Sequence, residues 1–330
     1  MQDKIKNIKS SPVIKRYSGN PVLSWKDVPY HATLTYNAGV TRFAGKYVMV
    51  FRNDYGSFED KRQDGTNLGL AYSNDGLNWD VMPKPIVVLE GENIKRVYDP
   101  RLTVIEDRCY ICFAVDLIGG GVCGGIAVTD DLENFEVLNL TTPDNRNLVL
   151  FPERVGGRYI RLERPFSRYG RDEIDRFDLW ISRSPDMRYW GDSELMLKAG
   201  DVPFANDKIG PGAPPVKTPQ GWLVIFHAVH TDPDIVPNGW YGDWRKRYMC
   251  GVMLLDLEDP RKIIGFSRKP LLFPEASYEI SGGMRNNVLF PTGVILEDSG
   301  EVKIYYGAAD TTQCLATADV GDLLELCEKI

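Results

Sequence analysis

The sequence predicts an all-β fold, a five-bladed β-propeller, from three observations. A phrase made of a short apolar strand and a turn rich in Ser, Thr and Asp recurs five times along the 330 residues. A second strand precedes each phrase, and a third precedes the second across turns with Gly, Asp or Glu that are typical of hairpins. Repeated units of three or four strands indicate propeller blades.

Five such units account for nearly the whole chain. Their first strands contain TYNAGVTRF (35–43), YDPRLTVIED (98–107), RNLVLFPERV (146–155), GPGAPPVKT (210–218) and NVLFPTGVIL (287–296). Their second strands contain KYVMVFRND (46–54), RCYICFAVD (108–116), RYIRLERPF (158–166), GWLVIFHAV (221–229) and VKIYYGAAD (302–310). The recurring phrases are LGLAYSNDGLNW (68–79), GGIAVTDDLENF (124–135), DLWISRSPDMRYW (178–190), CGVMLLDLEDP (250–260) and CLATADVGDLL (314–324).

The segments outside these units set the predicted domain boundaries. Residues 1–20 are left as an N-terminal arm, and residues 21–330 form a single propeller domain. The segment VGDLLELCEKI (320–330) predicts a short C-terminal helical turn. Two β-sandwiches would explain the number of strands, but they would not explain the repeated phrase.

The composition limits the class of partner. The formal net charge is −7, whereas nucleic-acid and anionic-membrane surfaces need a basic footprint. No segment approaches the roughly 18 apolar residues of a membrane span, and the N-terminus lacks the apolar core of a signal peptide. Cys109 and Cys112 would point to opposite faces of one strand, which disfavours a zinc or redox pair. We therefore expect a cytoplasmic protein with free thiols and no metal.

Polar residues stand where the first strand of each predicted blade begins and where the second ends. In a propeller these two strand ends lie at the same axial face. The residues are Asn37, Arg52, Asn53 and Asp54 in blade one, Asp99, Arg101 and Asp116 in blade two, Arg146, Asn147 and Arg164 in blade three, Lys208 and His227 in blade four, and Asn287 and Asp310 in blade five. Strand ends are often polar, but recurrence at corresponding positions favours a ligand site.

Blades three and four contribute a cluster of basic residues, Arg146, Arg164, Lys208 and His227, to an acidic protein. Packed cations repel one another, and guanidinium forks with an ammonium group suit a tetrahedral oxyanion such as phosphate. Asp99, one blade away, is then the candidate proton donor. We expect enclosure in the pocket to raise the pKa of Asp99, as general acid catalysis requires.

Seven motifs resemble, in order, those of glycoside hydrolase family 130. They are YDPR (98–101), NRNLVLFP (145–152), ERP (163–165), KIGPGAPP (208–215), GWLVIFHAV (221–229), LLDLEDP (254–260) and IYYGAADT (304–311). The resemblance runs from about residue 20 to the C-terminus. Members of this family are mannoside phosphorylases, five-bladed propellers that act by inverting phosphorolysis.

The resemblance implies a role for most of the candidate residues. Asp99 matches the catalytic acid, and the phosphate-binding set is Arg146, Asn147, Lys208, His227 and Tyr248. The positions around the sugar are Asn37, Arg52, Asp54, Arg164 and Asp310. Arg101 and Asn287, at equivalent strand entrances, are further candidates for the sugar site. Trp240, Tyr241 and Trp244 could stack on an acceptor sugar, or could instead belong to a subunit interface.

The implied reaction fits these residues. Phosphate is already a nucleophile, so one acid and a cationic cradle suffice, without cofactor or metal. Phosphate and a β-mannoside would be the substrates, and α-mannose 1-phosphate would be a product. We expect the substrate to be a β-1,4-mannooligosaccharide or mannosyl-glucose, with a β-1,2-mannobiose as the alternative. The resemblance also implies a homo-oligomer. The alternatives are an inverting glycosidase, with Asp54, Asp116, Asp207 or Asp310 as second carboxylate, and a non-catalytic sugar-binding propeller.

Overall fold

A computed structural model describes residues 8–166, 177–237, 239–240 and 242–329 of the protein. It confirms the predicted propeller: five antiparallel sheets follow one another along the chain. Each sheet is a meander in which the first strand is innermost.

The strands are assigned to blades as follows. Strand β1 (Lys15–Arg16) precedes blade one, which contains β2 (Leu34–Phe43), β3 (Lys46–Ser57), β4 (Arg62–Ser73) and β5 (Asp80–Val81). Blade two contains β6 (Ile94–Ile105), β7 (Arg108–Leu117), β8 (Gly121–Thr129) and β9 (Glu136–Leu140). Blade three contains β10 (Asn145–Leu150), β11 (Tyr159–Pro165), β12 (Leu179–Ser184) and β13 (Gly191–Leu197).

The last two blades are less regular. Blade four contains β14 (Lys208–Pro211), β15 (Val216–Thr218), β16 (Gly221–Thr231), β17 (Lys246–Leu255) and β18 (Ile263–Phe266). Blade five contains β19 (Leu289–Leu296), β20 (Glu301–Ala308) and β21 (Thr312–Asp319), and β22 (Glu328–Lys329) ends the described chain. Two helices, α1 (Ser277–Ile280) and α2 (Val320–Glu325), lie between these strands. The inner strand of blade four is divided between β14 and β15, because Pro214 and Pro215 interrupt it and have no N–H to donate.

The two ends of the chain complete outer edges of the propeller. Strand β1 pairs with β21, so the predicted N-terminal arm contains the outermost strand of blade five. Arg16 of β1 also donates to the fully buried carboxylate of Glu279 at 2.7 Å. At the other end, β22 pairs with β18 of blade four. The predicted C-terminal helical turn is confirmed as α2, whose first turn is capped by Asp319.

The repeated phrase forms the turn after the third strand of a blade. The Asp75 carboxylate accepts hydrogen bonds from the N–H groups of Leu77 and Asn78 at 2.8 and 2.9 Å. Asp131 and Asp186 accept equivalent bonds in blades two and three. These are Asx turns. Three of the five phrases end on an aromatic residue, and Trp79, Phe135 and Trp190 each pack into the apolar layer beside them.

Apolar clusters fill the spaces between neighbouring blades. Cys109 packs with residues of blades one and two, whereas Cys112 packs with residues of blades two and three. The two thiols therefore point to opposite faces of β7, as predicted, and both are free. No helix in the described ranges has the length and apolar character needed to cross a bilayer.

Candidate active site

The backbone conformation explains why short polar residues stand at the strand entrances. Asn37, Asp99, Asn147 and Asn287 occupy corresponding positions and have left-handed φ values of 51°, 53°, 60° and 61°. In blades one to three the pairing with the second strand shifts register at this residue. Asn and Asp tolerate this conformation better than other residues with a Cβ. The Asp of YDPR is thus one of three short polar residues in such a bulge, and Asn287 has the same backbone conformation just before β19.

These bulges open onto a polar cavity of about 150 Å³ at one axial face. Its lining comprises Asn37, Arg52, Gln63, Arg96, Tyr98, Asp99, Arg146, Asn147, Arg164, Trp244, Tyr248, Met284, Arg285, Val288, Phe290 and Asp310. All five blades or their connections contribute to it. The structure therefore brings together most of the residues that the sequence singled out.

A larger cavity of about 570 Å³ lies between the outer strand of blade two and blade three. None of the predicted site residues lines it. Its charged lining includes Arg161 and Glu163, which form an ion pair at 2.9 Å, and Asp178. The smaller cavity holds the chemically unusual charges, so we take it as the candidate active site.

Asp99 lies at the blade-one end of the cavity. Its Oδ1 accepts from Asn37 Nδ2 at 3.0 Å and lies 3.3 Å from Arg52 Nη1. Burial raises the pKa of Asp99, but Arg52, Arg101, Asn37 and Arg146 together outweigh burial and hold that pKa below its ordinary value. The expectation that enclosure raises the pKa of Asp99 is therefore wrong, because the arginines that surround the carboxylate stabilise its charged form.

Asp310 behaves in the opposite way. Arg285 Nη1 donates to Asp310 Oδ2 at 2.8 Å. Burial nevertheless raises the pKa of Asp310 above its ordinary value, against the opposing effects of Arg285 and Arg52. Of these two carboxyl groups, Asp310 is the one that holds its proton more tightly.

Arg146 and Arg164 are cross-strand partners on β10 and β11 and form the core of a cationic cluster. Burial, followed by the repulsion of Arg146, lowers the pKa of Arg164 to about 9. Burial and Arg164 also lower the pKa of Lys208. Within the described residues, the buried Nε atoms of Arg146 and Arg164 have no hydrogen-bond partner. Uncompensated buried donors of this kind are costly, and an anion would satisfy them.

His227 and Tyr248 pack against this cluster. Burial and Arg164 lower the pKa of His227 well below its ordinary value, so the ring is neutral. Nδ1 lies 3.1 Å from the carbonyl oxygen of Pro211, which makes it the protonated nitrogen. Nε2 then accepts from Arg164 Nη1 at 3.2 Å. Burial raises the pKa of Tyr248, but Lys208 and the neighbouring arginines outweigh burial and lower it.

Comparison with known proteins decides the family. The family model for glycoside hydrolase family 130, described as beta-1,4-mannooligosaccharide phosphorylase, matches residues 4–329. The chain belongs to glycoside hydrolase family 130. A beta-1,4-mannooligosaccharide phosphorylase from Ruminococcus albus is 33% identical over 98% of this chain and 93% of its own length. A 4-O-beta-D-mannosyl-D-glucose phosphorylase from Bacteroides fragilis is 31% identical over 96% of this chain and 81% of its own.

A solved structure agrees with this assignment. The beta-1,2-mannobiose phosphorylase from Listeria innocua superposes with a TM-score of 0.81 at 25% identity, covering 95% of this chain and 99% of the other. The resemblance read from the seven motifs is thus confirmed: this is an enzyme of the mannoside phosphorylase family.

Some candidates of this family 130 chain lie behind the cavity lining. Arg101 donates from Nη1 to the carbonyl oxygen of Asp99 at 2.8 Å, so it supports the bulge. Asp54 pairs with Arg52 through two bonds of 2.9 and 2.8 Å. Asn287 accepts from the N–H of Tyr248 at 2.9 Å through its carbonyl oxygen. All three contact lining residues.

The remaining candidates lie around the cationic cluster and at the rim. Lys208 Nζ lies 5.8 Å from the Tyr248 ring centroid. His227 contacts Arg164, as described above. Trp240 makes an edge contact with Phe58, with ring centroids 5.5 Å apart, at the rim. Tyr241 lies outside the described residues.

The sequence reasoning missed Arg285 and the mouth residues Gln63 and Arg96. Arg285 lies two residues before Asn287, in an irregular segment that no repeat covers. Its charge next to a predicted strand entrance was the available signal. In the described part of the chain, no group of three or more His, Cys, Asp or Glu residues is arranged to hold a metal ion.

Proposed function

We propose that this protein is an inverting β-mannoside phosphorylase, which cleaves its substrate with inorganic phosphate to give α-mannose 1-phosphate. One observation carries the proposal. The buried and mutually repelling cations Arg146, Arg164 and Lys208 line or adjoin the same small cavity as Asp99. A phosphate dianion is the natural occupant of such a cluster, since it accepts several charge-assisted hydrogen bonds at once.

In this mechanism phosphate attacks the anomeric carbon while the bond to the leaving oxygen breaks. Asp99 supplies the proton that the leaving oxygen takes up, in the family's proposed mechanism by way of the 3-hydroxyl of the sugar. The arginines by themselves favour the charged form of Asp99. Bound phosphate would neutralise part of their field and raise the pKa of Asp99, so that the nucleophile would also prepare the acid.

The held carboxylates argue against the glycosidase alternative. An inverting hydrolase needs a second carboxylate as a base. Each candidate base is already held by a cation at 2.6 to 2.8 Å, the pairs being Asp54 with Arg52, Asp116 with Arg96, Asp207 with Lys246, and Asp310 with Arg285. The pKa of Asp310 is also raised, so this carboxyl group keeps its proton to a higher pH and is then unable to act as a base.

For the linkage we propose a β-1,4-mannoside, either a mannooligosaccharide or mannosyl-glucose. The description of the family model and the relatives from Ruminococcus albus and Bacteroides fragilis support this choice. The second candidate is β-1,2-mannobiose, which the similarity to the Listeria innocua enzyme favours.

The test is to incubate the protein with β-1,4- and β-1,2-mannobiose, each with and without phosphate, and to follow α-mannose 1-phosphate by phosphorus NMR. We expect turnover only with phosphate and faster turnover of the β-1,4 disaccharide. Mannose release at equal rates in both buffers would refute the phosphorylase. Faster turnover of the β-1,2 disaccharide would reverse the choice of linkage.

A further inference from the structure

The long connection between β16 and β17 is joined to the segment that carries Arg285. Gly239 forms an isolated bridge with Arg285, and the N–H of Trp240 donates to the carbonyl oxygen of Met284 at 2.9 Å. Trp244 Nε1 donates to the carbonyl oxygen of Asn286, also at 2.9 Å. The segment 284–286 is therefore fixed along the mouth of the cavity, although it belongs to no strand.

The wall that these segments build presents a guanidinium group. The Arg285 guanidinium lies 5.1 Å from the Trp244 ring centroid, and Tyr248 stacks on the same indole at 5.7 Å with an interplanar angle of 18°. Trp244 thus has an aromatic and a cationic neighbour already. Arg285 is one-third exposed, lines the cavity and is oriented by its bond to Asp310.

The ion pair of Arg285 belongs to the carboxylate end of the cavity. Asp310, its partner, interacts electrostatically with Arg52 and Asp99. Arg285 also interacts with Tyr248, so its Trp244 side borders the phosphate cluster. In an inverting displacement the nucleophile and the leaving group lie on opposite faces of the reacting sugar. The leaving sugar therefore occupies the end away from the phosphate and next to the mouth, because it must exchange with solvent.

We propose that Arg285 is a specificity-determining residue that binds hydroxyl groups of the leaving sugar, which is the acceptor in the synthetic direction. The ligand it selects is a neutral pyranose with two neighbouring hydroxyl groups, which a planar guanidinium can engage together. This inference rests on the proposed phosphorolysis. In this proposal the Arg285 guanidinium recognises the acceptor, and Trp244 orients the guanidinium.

The experiment measures synthesis from α-mannose 1-phosphate with an acceptor pyranose and its monodeoxy analogues. We expect the wild type to discriminate against at least one deoxy acceptor, because a site built to bind a hydroxyl rejects an analogue that lacks it. Arg285→Gln should raise the acceptor KM about 10- to 100-fold. It should also remove that discrimination, and leave the KM of α-mannose 1-phosphate within about twofold of wild type.

Three further variants make the result specific. Arg285→Lys keeps the charge but loses the fork, so it should also lose discrimination, and it serves if Arg285→Gln does not fold. Arg96→Gln removes a cation from the mouth on the blade-two side and should retain the discrimination. Arg108→Gln removes an exposed arginine paired with Asp130, far from the cavity, and should match wild type throughout.

Four outcomes would overturn the inference. One is unchanged deoxy discrimination in a folded Arg285 variant, and another is an equal loss of discrimination in Arg96→Gln, which would point to a general field effect. A rise confined to the KM of α-mannose 1-phosphate would assign Arg285 to the phosphate cluster. If the wild type shows no phosphate-dependent turnover at all, the proposed function fails and this inference fails with it; the first three outcomes leave the proposed function intact.

Discussion

The two ends of the cavity treat buried charge in different ways. At the end formed by blades one and five, each arginine faces a carboxylate: Arg52 pairs with Asp54 and contacts Asp99, and Arg285 pairs with Asp310. At the end formed by blades three and four, Arg146 and Arg164 are cross-strand neighbours. Burial and Arg146 lower the pKa of Arg164, whereas Tyr98 and Asp99 outweigh burial and raise the pKa of Arg146. The balanced end suits a neutral sugar, and the unbalanced end suits a dianion.

The largest effect on activity should come from replacing Asp99, the proton donor at the balanced end. We expect Asp99→Asn to lower kcat for phosphorolysis about 10³-fold, since general acids contribute on this scale. Asn tolerates the left-handed backbone at this position, so circular dichroism and Tm should match wild type. Asp116→Asn, which alters a carboxylate held by Arg96 outside the cavity lining, should keep most of its activity. Retention of wild-type kcat in Asp99→Asn would contradict the assignment of the acid.

At the unbalanced end we expect Lys208→Ala to raise the KM of phosphate about 10- to 100-fold, because it removes a charge-assisted contact. Its Tm should stay the same or rise, because the variant relieves repulsion among buried cations. Lys217→Ala, which changes an exposed lysine of blade four, should leave the KM of phosphate unchanged. If Lys208→Ala instead unfolds the protein, Lys208 is a structural partner and the cluster has been assigned wrongly.

The pH dependence of anion binding should test the role of Lys208 at the unbalanced end. Burial lowers the pKa of Lys208 below its ordinary value, so its ammonium group loses the proton earlier as the pH rises. Sulfate does not titrate above neutral pH and is the probe: its affinity, measured by calorimetry, should fall several-fold between about pH 7 and 10. In Lys208→Met this fall should be smaller. Equal slopes in both proteins would show that Lys208 does not hold the anion.

The smallest effect should come from a carboxylate outside the cavity. The N–H and side chain of Asn78 and the N–H of Leu77 lower the pKa of Asp75 below its ordinary value. A lowered folded pKa gives stability that is present above the unfolded pKa and is lost as the pH falls through the folded pKa. Asp75→Ala should therefore lower the free energy of unfolding by about 1 kcal/mol at pH 7, and by less at pH 3. Urea denaturation at both values tests this, and a difference that does not shrink in acid would contradict it.

Much of the site followed from the sequence because the blades repeat. Once the strands were aligned, Asn37, Asp99 and Asn147 fell at equivalent positions, and the propeller placed them at one face. The sign of the pKa shift of Asp99 could not be predicted in the same way. It depends on Arg52 and Arg146 from two other blades, whose side chains meet Asp99 only in the folded protein.

Arg285 was missed for a related reason. It lies in an irregular segment, which is held in place by hydrogen bonds from Trp240 and Trp244 of the connection between β16 and β17. Neither segment has a periodic pattern, so alignment of the blades gives no information about either of them. The sequence shows a residue of this kind only as an isolated charge beside a strand entrance. It does not show which residue the charge pairs with or where the side chain points.

The pairing of β1 with β21 has a consequence for how the enzyme is made. During translation β1 leaves the ribosome long before its partner β21, because four blades lie between them in the chain. The catalytic pocket straddles the same seam, since Asn37 comes from the first blade and Asp310 from the fifth. A nascent chain can stack its early blades one after another as domains fold during synthesis, yet it has no complete pocket until the ring closes. Activity therefore begins only after blade five has joined blade one.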